Sequence, residues 1–180
     1  MSGSHDTITR SATISVLVDN EAGILARVTG LFTGRGYNID SLTVAAVEAG
    51  GKLSRINVVT SGTPMVIAQI KAQLDRLVQV HRVADLSAEG PHVAREMALV
   101  KVIGTGDKRV EALRIAETFR ARAVDTTLGS FVFEITGSSE KLDAFIDLMR
   151  DLGLAEVSRT GVAALARGTR TLSSLSHSDR

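Results

Sequence analysis

Asp19-Asn20-Glu21-Ala22-Gly23-Ile24-Leu25 is the stretch at which the hydrophobic period of the chain changes. Upstream of it Thr13 to Val18 alternate, with Ile14, Val16 and Val18 on one face, the pattern of a half-buried strand. Downstream, Ile24, Val28, Leu31 and Phe32 recur at i, i+4, i+7 and i+8, the pattern of a helix buried on one side. Asp19 and Asn20 are good helix-capping types, and Gly34-Arg35-Gly36 supplies the stop. The stretch therefore reads as the turn from a first strand into a first helix.

Working outward, Tyr37 to Val47 and Leu53 to Thr60 are two β-type runs separated by the turn-like cluster Glu48-Ala49-Gly50-Gly51-Lys52, and they read as a hairpin. Pro64 opens a second helix with Ile67, Ile70, Leu74 and Leu77 in one stripe, and Val80 to Leu86 supplies a last strand. The order is βαββαβ, in which both helices cover one face of a four-stranded antiparallel sheet, the ferredoxin-like arrangement. After a linker at residues 88–92 the order recurs: a strand over Met97 to Ile103, a helix over Arg109 to Arg120, strands over Ala123 to Leu128 and Phe131 to Thr136, a helix from Ser139, and a weak strand from Leu154. The repeat is one of pattern rather than residue identity. The expected fold class is α+β, two ferredoxin-like βαββαβ domains in tandem at 12–87 and 93–167. A flexible N-terminus is expected over 1–11, and a disordered, Ser-rich tail over 168–180.

Composition narrows the function. Of the 180 residues 44% are hydrophobic but only 3% aromatic, with no Trp, so the cores are expected to be built from Val, Leu, Ile and Ala, with little to stack on bases or sugars. A formal charge of +1 with interspersed signs offers no basic face for nucleic acid or anionic membrane. The absence of Cys excludes a disulfide framework, a thiolate metal site and a cysteine nucleophile. No apolar run approaches the roughly 18 residues of a membrane span, and a cytoplasmic location is expected.

The start of the first helix is the leading candidate site. A helix start carries unpaired N–H groups and partial positive charge suited to a carboxylate, and Gly23 lets a ligand approach that backbone closely. Asn20 has two readings, a helix cap or an amide presented to a ligand. Asn38, within Arg35-Gly36-Tyr37-Asn38-Ile39, likewise reads as a turn residue or as a polar group facing a partner chain. Against catalysis, His5, His81, His92 and His177 are scattered without metal-ligand spacing. Gly104-Thr105-Gly106-Asp107-Lys108 lacks the Gly-Lys-Ser/Thr ending of a phosphate loop and reads as a capped turn. Acidic residues lie singly, so no pair suggests acid–base work; Glu117 and Glu134 read as surface residues.

One set of strings goes further. Thr13 to Val28, Leu31-Phe32, Arg35-Gly36-Tyr37-Asn38-Ile39-Asp40-Ser41-Leu42-Thr43-Val44, Leu53-Ser54-Arg55, Gln73 to Val78 and His81-Arg82-Val83 resemble the N-terminal ACT domain of the small subunit of acetohydroxyacid (acetolactate) synthase. The likeness resumes at Arg95 to Val102, Phe119-Arg120, Gly137, Lys141 to Phe145 and Arg159-Thr160-Gly161, and covers roughly residues 12–168.

The resemblance implies a non-catalytic regulatory subunit that activates the catalytic large subunit of acetolactate synthase in branched-chain amino acid biosynthesis and withdraws the activation when valine, or a related branched-chain amino acid, is bound. It implies a homodimer through the ACT domain, with Asn20, Gly23, Ile24 and Leu25 from one chain and Asn38 and Ile39 from the other around the effector. Thiamine diphosphate, FAD and magnesium are implied on the catalytic subunit, and no cofactor on this chain. A freestanding ACT-type amino-acid sensor is the alternative. A transcription regulator would need a DNA-reading element, and no helix-turn-helix pattern or Lys/Arg cluster is present.

Overall fold

The alternation at the head of the chain produces the central strand of a sheet. In the computed structural model, which describes residues 8–173, β1 (Arg10–Asp19) buries Ala12, Ile14, Val16 and Val18 on one face. It pairs antiparallel with β3 (Leu53–Gly62), setting Ile14 opposite Val58 and Val16 opposite Ile56, so that the β-branched side chains meet on the same face. Helices α1 (Ile24–Gly34) and α2 (Pro64–Asp75) cover that face with Val28, Phe32, Ile67, Ile70 and Leu74. With β2 (Ser41–Ala46) and β4 (Val80–Asp85) the sheet order is β2-β3-β1-β4, the ferredoxin-like order.

The second unit, Ala94 to Val162, repeats the scheme. Strands β5 (His92–Ile103), β6 (Arg122–Thr126), β7 (Ser130–Gly137) and β8 (Leu154–Arg159) run in the order β6-β7-β5-β8, with α3 (Gly106–Thr118) and α4 (Ser139–Arg150) on one face. The tandem α+β architecture is thus observed. The second core is not purely aliphatic as expected: Phe133 and Phe145 meet edge to face at 6.1 Å, and Phe131 and Phe119 lie at 5.1 and 5.5 Å from them.

Several boundaries differ from the sequence reading, each through a partner distant in the chain. Strand β1 begins at Arg10, whose Nη2 donates to Asp85 at 2.7 Å, so the expected flexible segment does not reach residue 11. Tyr37 to Asp40 are not strand: the Tyr37 N–H donates to Phe32 O at 2.9 Å and holds the chain to the end of α1. The linker closes one residue earlier than expected, since β5 starts at His92. Residues 168–173 are placed rather than disordered: Arg170 donates to Glu89 O and Pro91 O, and Leu172 is buried. A short β9 (Ala163–Ala166) leads into this segment and pairs with β5; the residues from Ala163 onward group with those up to Val93. The remaining terminal residues of the two expected disordered segments, with His5 and His177, lie outside the described residues. No helix among the described residues is long and apolar enough to cross a membrane.

One buried charge holds the second unit at the edge of its core. Glu96 on β5 is 6% exposed and accepts two bonds from Arg159 on β8, at 2.8 and 2.7 Å, and a third from the Ser139 hydroxyl at 3.0 Å. The Arg159 hydrogen bonds, helped by Ser139 and by charge attraction, hold the Glu96 carboxyl below the usual carboxylate range against the opposing effect of burial. A carboxyl whose folded value is depressed contributes stability above its unfolded value of about 4.3, and that stability is lost as pH falls through the folded value. Replacing Glu96 with Gln is therefore expected to cost about 1–3 kcal/mol at pH 7, the cost of a broken buried pair discounted for the partly exposed Arg159. In urea unfolding the gap from wild type should narrow below about pH 4; a gap independent of pH would contradict the assignment.

Candidate functional site

The turn from β1 into α1 leaves a helix start that the protein itself does not cap. Gly23 stands at the N-cap position with φ +86°, in the left-handed region, and makes no side-chain cap bond. Such a conformation favours glycine, and a Cβ built there meets nothing within 4 Å, so the space before the helix is open. The Ile24 N–H turns back to Glu21 O at 3.3 Å, and Arg27 N–H bonds to Gly23 O at 3.0 Å. The other amides of this first turn point along the axis toward the exposed loop, an arrangement that attracts an anion.

Each residue singled out from the sequence has a distinct place here. Asn20 is exposed and does not cap the helix: its Nδ2 donates to Gly51 O at 2.7 Å, in the turn between β2 and β3. The capping reading of Asn20 is therefore wrong: the N-cap position falls at Gly23, and the Asn20 side chain makes its bond to the hairpin turn instead. The side chain of Ile24 belongs to the core, so a ligand would meet its main chain; Leu25 is exposed beside it. Below the loop, Asp19 Oδ1 lies 2.6 Å from His81 Nε2, and the Asp19 N–H donates to Gln79 O at 2.9 Å, which anchors the end of β1 to β4.

Asn38 and Ile39 are elsewhere. Asn38 precedes β2, its carbonyl accepts from the Thr60 hydroxyl at 2.6 Å, and its Nδ2 donates to Asp40. Ile39 is half buried against the first core. The N–H of Asn20 donates to Lys52 O, so Lys52 and Thr60 mark the two groups along β3. Eight residues of strand place them about 26 Å apart. Helix α1 runs back between the same two loops, about 16 Å long, starting after Asn20 and ending before Asn38. One chain cannot close both groups on one small ligand.

Sequence reasoning missed the role of the turn Glu48 to Lys52 and the Asp19–His81 contact. Two successive glycines signalled a turn, but nothing in their spacing disclosed which side chain the turn would hold. The corresponding loop of the second unit, Gly104 to Gly106, is also a strand-to-helix turn, with Gly106 at φ +59° and Thr105 at the N-cap, and it carries no asparagine.

Comparison with known proteins agrees across both units. A family described as "AHAS small subunit-like ACT domain" matches residues 14–82, and one described as "Small subunit of acetolactate synthase" matches residues 95–168. A probable acetolactate synthase small subunit of Archaeoglobus fulgidus is 44% identical over 158 residues, 88% of this chain and 98% of that protein. The small subunit of acetolactate synthase isozyme 3 of Salmonella typhimurium is 45% identical over 160 residues, 88% of this chain and 97% of that protein. Among solved structures, the acetolactate synthase small subunit of Thermotoga maritima superposes with a TM-score of 0.80 at 38% identity, covering 89% of this chain and 99% of that one.

The open space at Gly23 separates backbone strain from steric conflict. Gly23→Ala should cost about 1–2 kcal/mol through the left-handed backbone alone. Urea unfolding measures it; a loss well above about 3 kcal/mol would mean that the Cβ is blocked and the helix start is not open.

Proposed function

The chain belongs to the family of acetolactate synthase small subunits, and from that premise we propose that it is a non-catalytic subunit that activates its catalytic partner and releases that activation when valine binds. The family places it with the catalytic large subunit in branched-chain amino acid biosynthesis, in a regulatory role. Thiamine diphosphate, FAD and magnesium belong, in this reading, to that large subunit.

The observation that carries the effector site is the uncapped start of α1 at the left-handed Gly23. A valine carboxylate would sit on the first-turn amides, where the helix dipole favours negative charge, and Leu25 would flank the isopropyl group. Asn38 and Ile39 would come from a second copy, because the length of β3 keeps this chain's own pair away. The effector site is thus built at the contact of two ACT domains, and the edge strand β2 is available for that pairing. Feedback then requires valine to bind one conformation of the complex better than the other, by a coupling of about 1–3 kcal/mol.

Acetolactate formation by the catalytic subunit of the same organism tests the reading: alone, with this chain, and with this chain plus valine. Stimulation that valine reverses is expected. Gly23→Asp, which sets a negative charge where the carboxylate would lie, should keep the stimulation and lose the valine response. Asn38→Ala should raise the half-inhibiting valine concentration about tenfold, the value of one hydrogen bond to a charged group. Neither stimulation nor a valine effect from a folded chain would favour a freestanding sensor.

A further inference from the structure

Asn20 is tied twice to the turn between β2 and β3. Its backbone N–H donates to Lys52 O at 2.8 Å, and its Nδ2 donates to the neighbouring carbonyl, Gly51 O, at 2.7 Å. A carbonyl accepts only from the nitrogen end of an amide, so this contact settles the orientation of the side chain: Nδ2 faces the turn and Oδ1 faces away from it. The turn is itself specified. Gly50 and Gly51 have φ +99° and +63°, both left-handed, the Gly51 N–H closes on Glu48 O at 3.1 Å, and Val47 N–H closes the hairpin on Leu53 O at 3.0 Å. The direction in which Asn20 presents its oxygen is thus a property of the Gly50-Gly51 backbone.

We propose that this turn is a specificity-determining part of the effector site: by taking Nδ2 of Asn20 on Gly51 O it presents Oδ1 to the ligand's ammonium, so that the site selects an α-amino acid over the hydroxy acid of the same shape. The inference rests on the effector reading above and assigns Gly51 as a positioning residue. The amides of the helix start are donors only, and Leu25 is apolar; both accept valine and 2-hydroxyisovalerate equally. Discrimination needs an acceptor. The nearby Asp19 carboxylate is engaged by His81, whereas Asn20 Oδ1 bonds to no other group among the described residues and is exposed beside the helix start. A site built to hydrogen-bond one group strongly rejects the analogue that lacks it. An asparagine released from Gly51 could offer its NH2 instead, and the selection would be lost.

Calorimetry of valine and of 2-hydroxyisovalerate with the full chain tests this. Wild type should bind valine at least about 100-fold more tightly. Asn20→Ala and Gly51→Val should each lose about tenfold or more in valine affinity while the hydroxy acid stays within about twofold, so that the ratio collapses. Asp19→Asn should keep the ratio. A parallel fall of both affinities in the two variants, an unchanged ratio in Gly51→Val, or a collapse in Asp19→Asn would overturn the proposal. Failure of wild type to bind either ligand would overturn instead the effector reading on which it rests.

Discussion

The length of β3 governs what this chain can do alone. Antiparallel pairing with β1 sets the Asn20 loop beside Lys52 and the Asn38 loop beside Thr60, at opposite ends of the sheet, and a strand is too stiff to bring them closer. Helix α1 bridges the same two ends on the covered face, so its N-terminus and the segment after its C-terminus inherit the separation. A ligand as small as an amino acid reaches only one of them from a single chain. In our proposal the helix start therefore forms half a site, and the other half belongs to a second copy. Effector binding and subunit pairing are then one equilibrium, which is a direct physical route from occupancy to a change of assembly.

At the half that one chain does provide, two backbone facts act together. Gly23 starts the helix from the left-handed region without a capping side chain, leaving amides for an anion, and the glycine turn Gly50-Gly51 holds Asn20 by its Nδ2. A helix start that its own asparagine had capped would compete with a ligand carboxylate. With Gly23 at the N-cap that competition is absent, and Asn20 stands beside the opening.

Much of this was legible in the sequence, and the exceptions share a cause. Hydrophobic period gave the four helices because each has one buried face, as in the Leu142, Phe145, Ile146 and Met149 stripe of α4. Gly23 marked the open helix start correctly. What escaped depends on partners far along the chain: Arg10 on Asp85, Arg170 on the carbonyls around Gly90, and Asn20 on Gly51. Residues 168–173 have no period of their own, and Arg170 ties them to the linker carbonyls while Leu172 is buried. The aromatic content was too small to predict where four of the five phenylalanines would gather, in the second core.

Mixed dimers test the composite site most directly. If Gly23→Asp and Asn38→Ala chains carrying different tags are co-expressed and the heterodimer is isolated, both lesions fall in one of its two sites and the other is wholly wild type. Calorimetry should then find about one valine bound per heterodimer at wild-type affinity, although each parent homodimer is impaired. A heterodimer as defective as its parents would mean that each site lies within one chain, and the account of a shared effector site would be wrong.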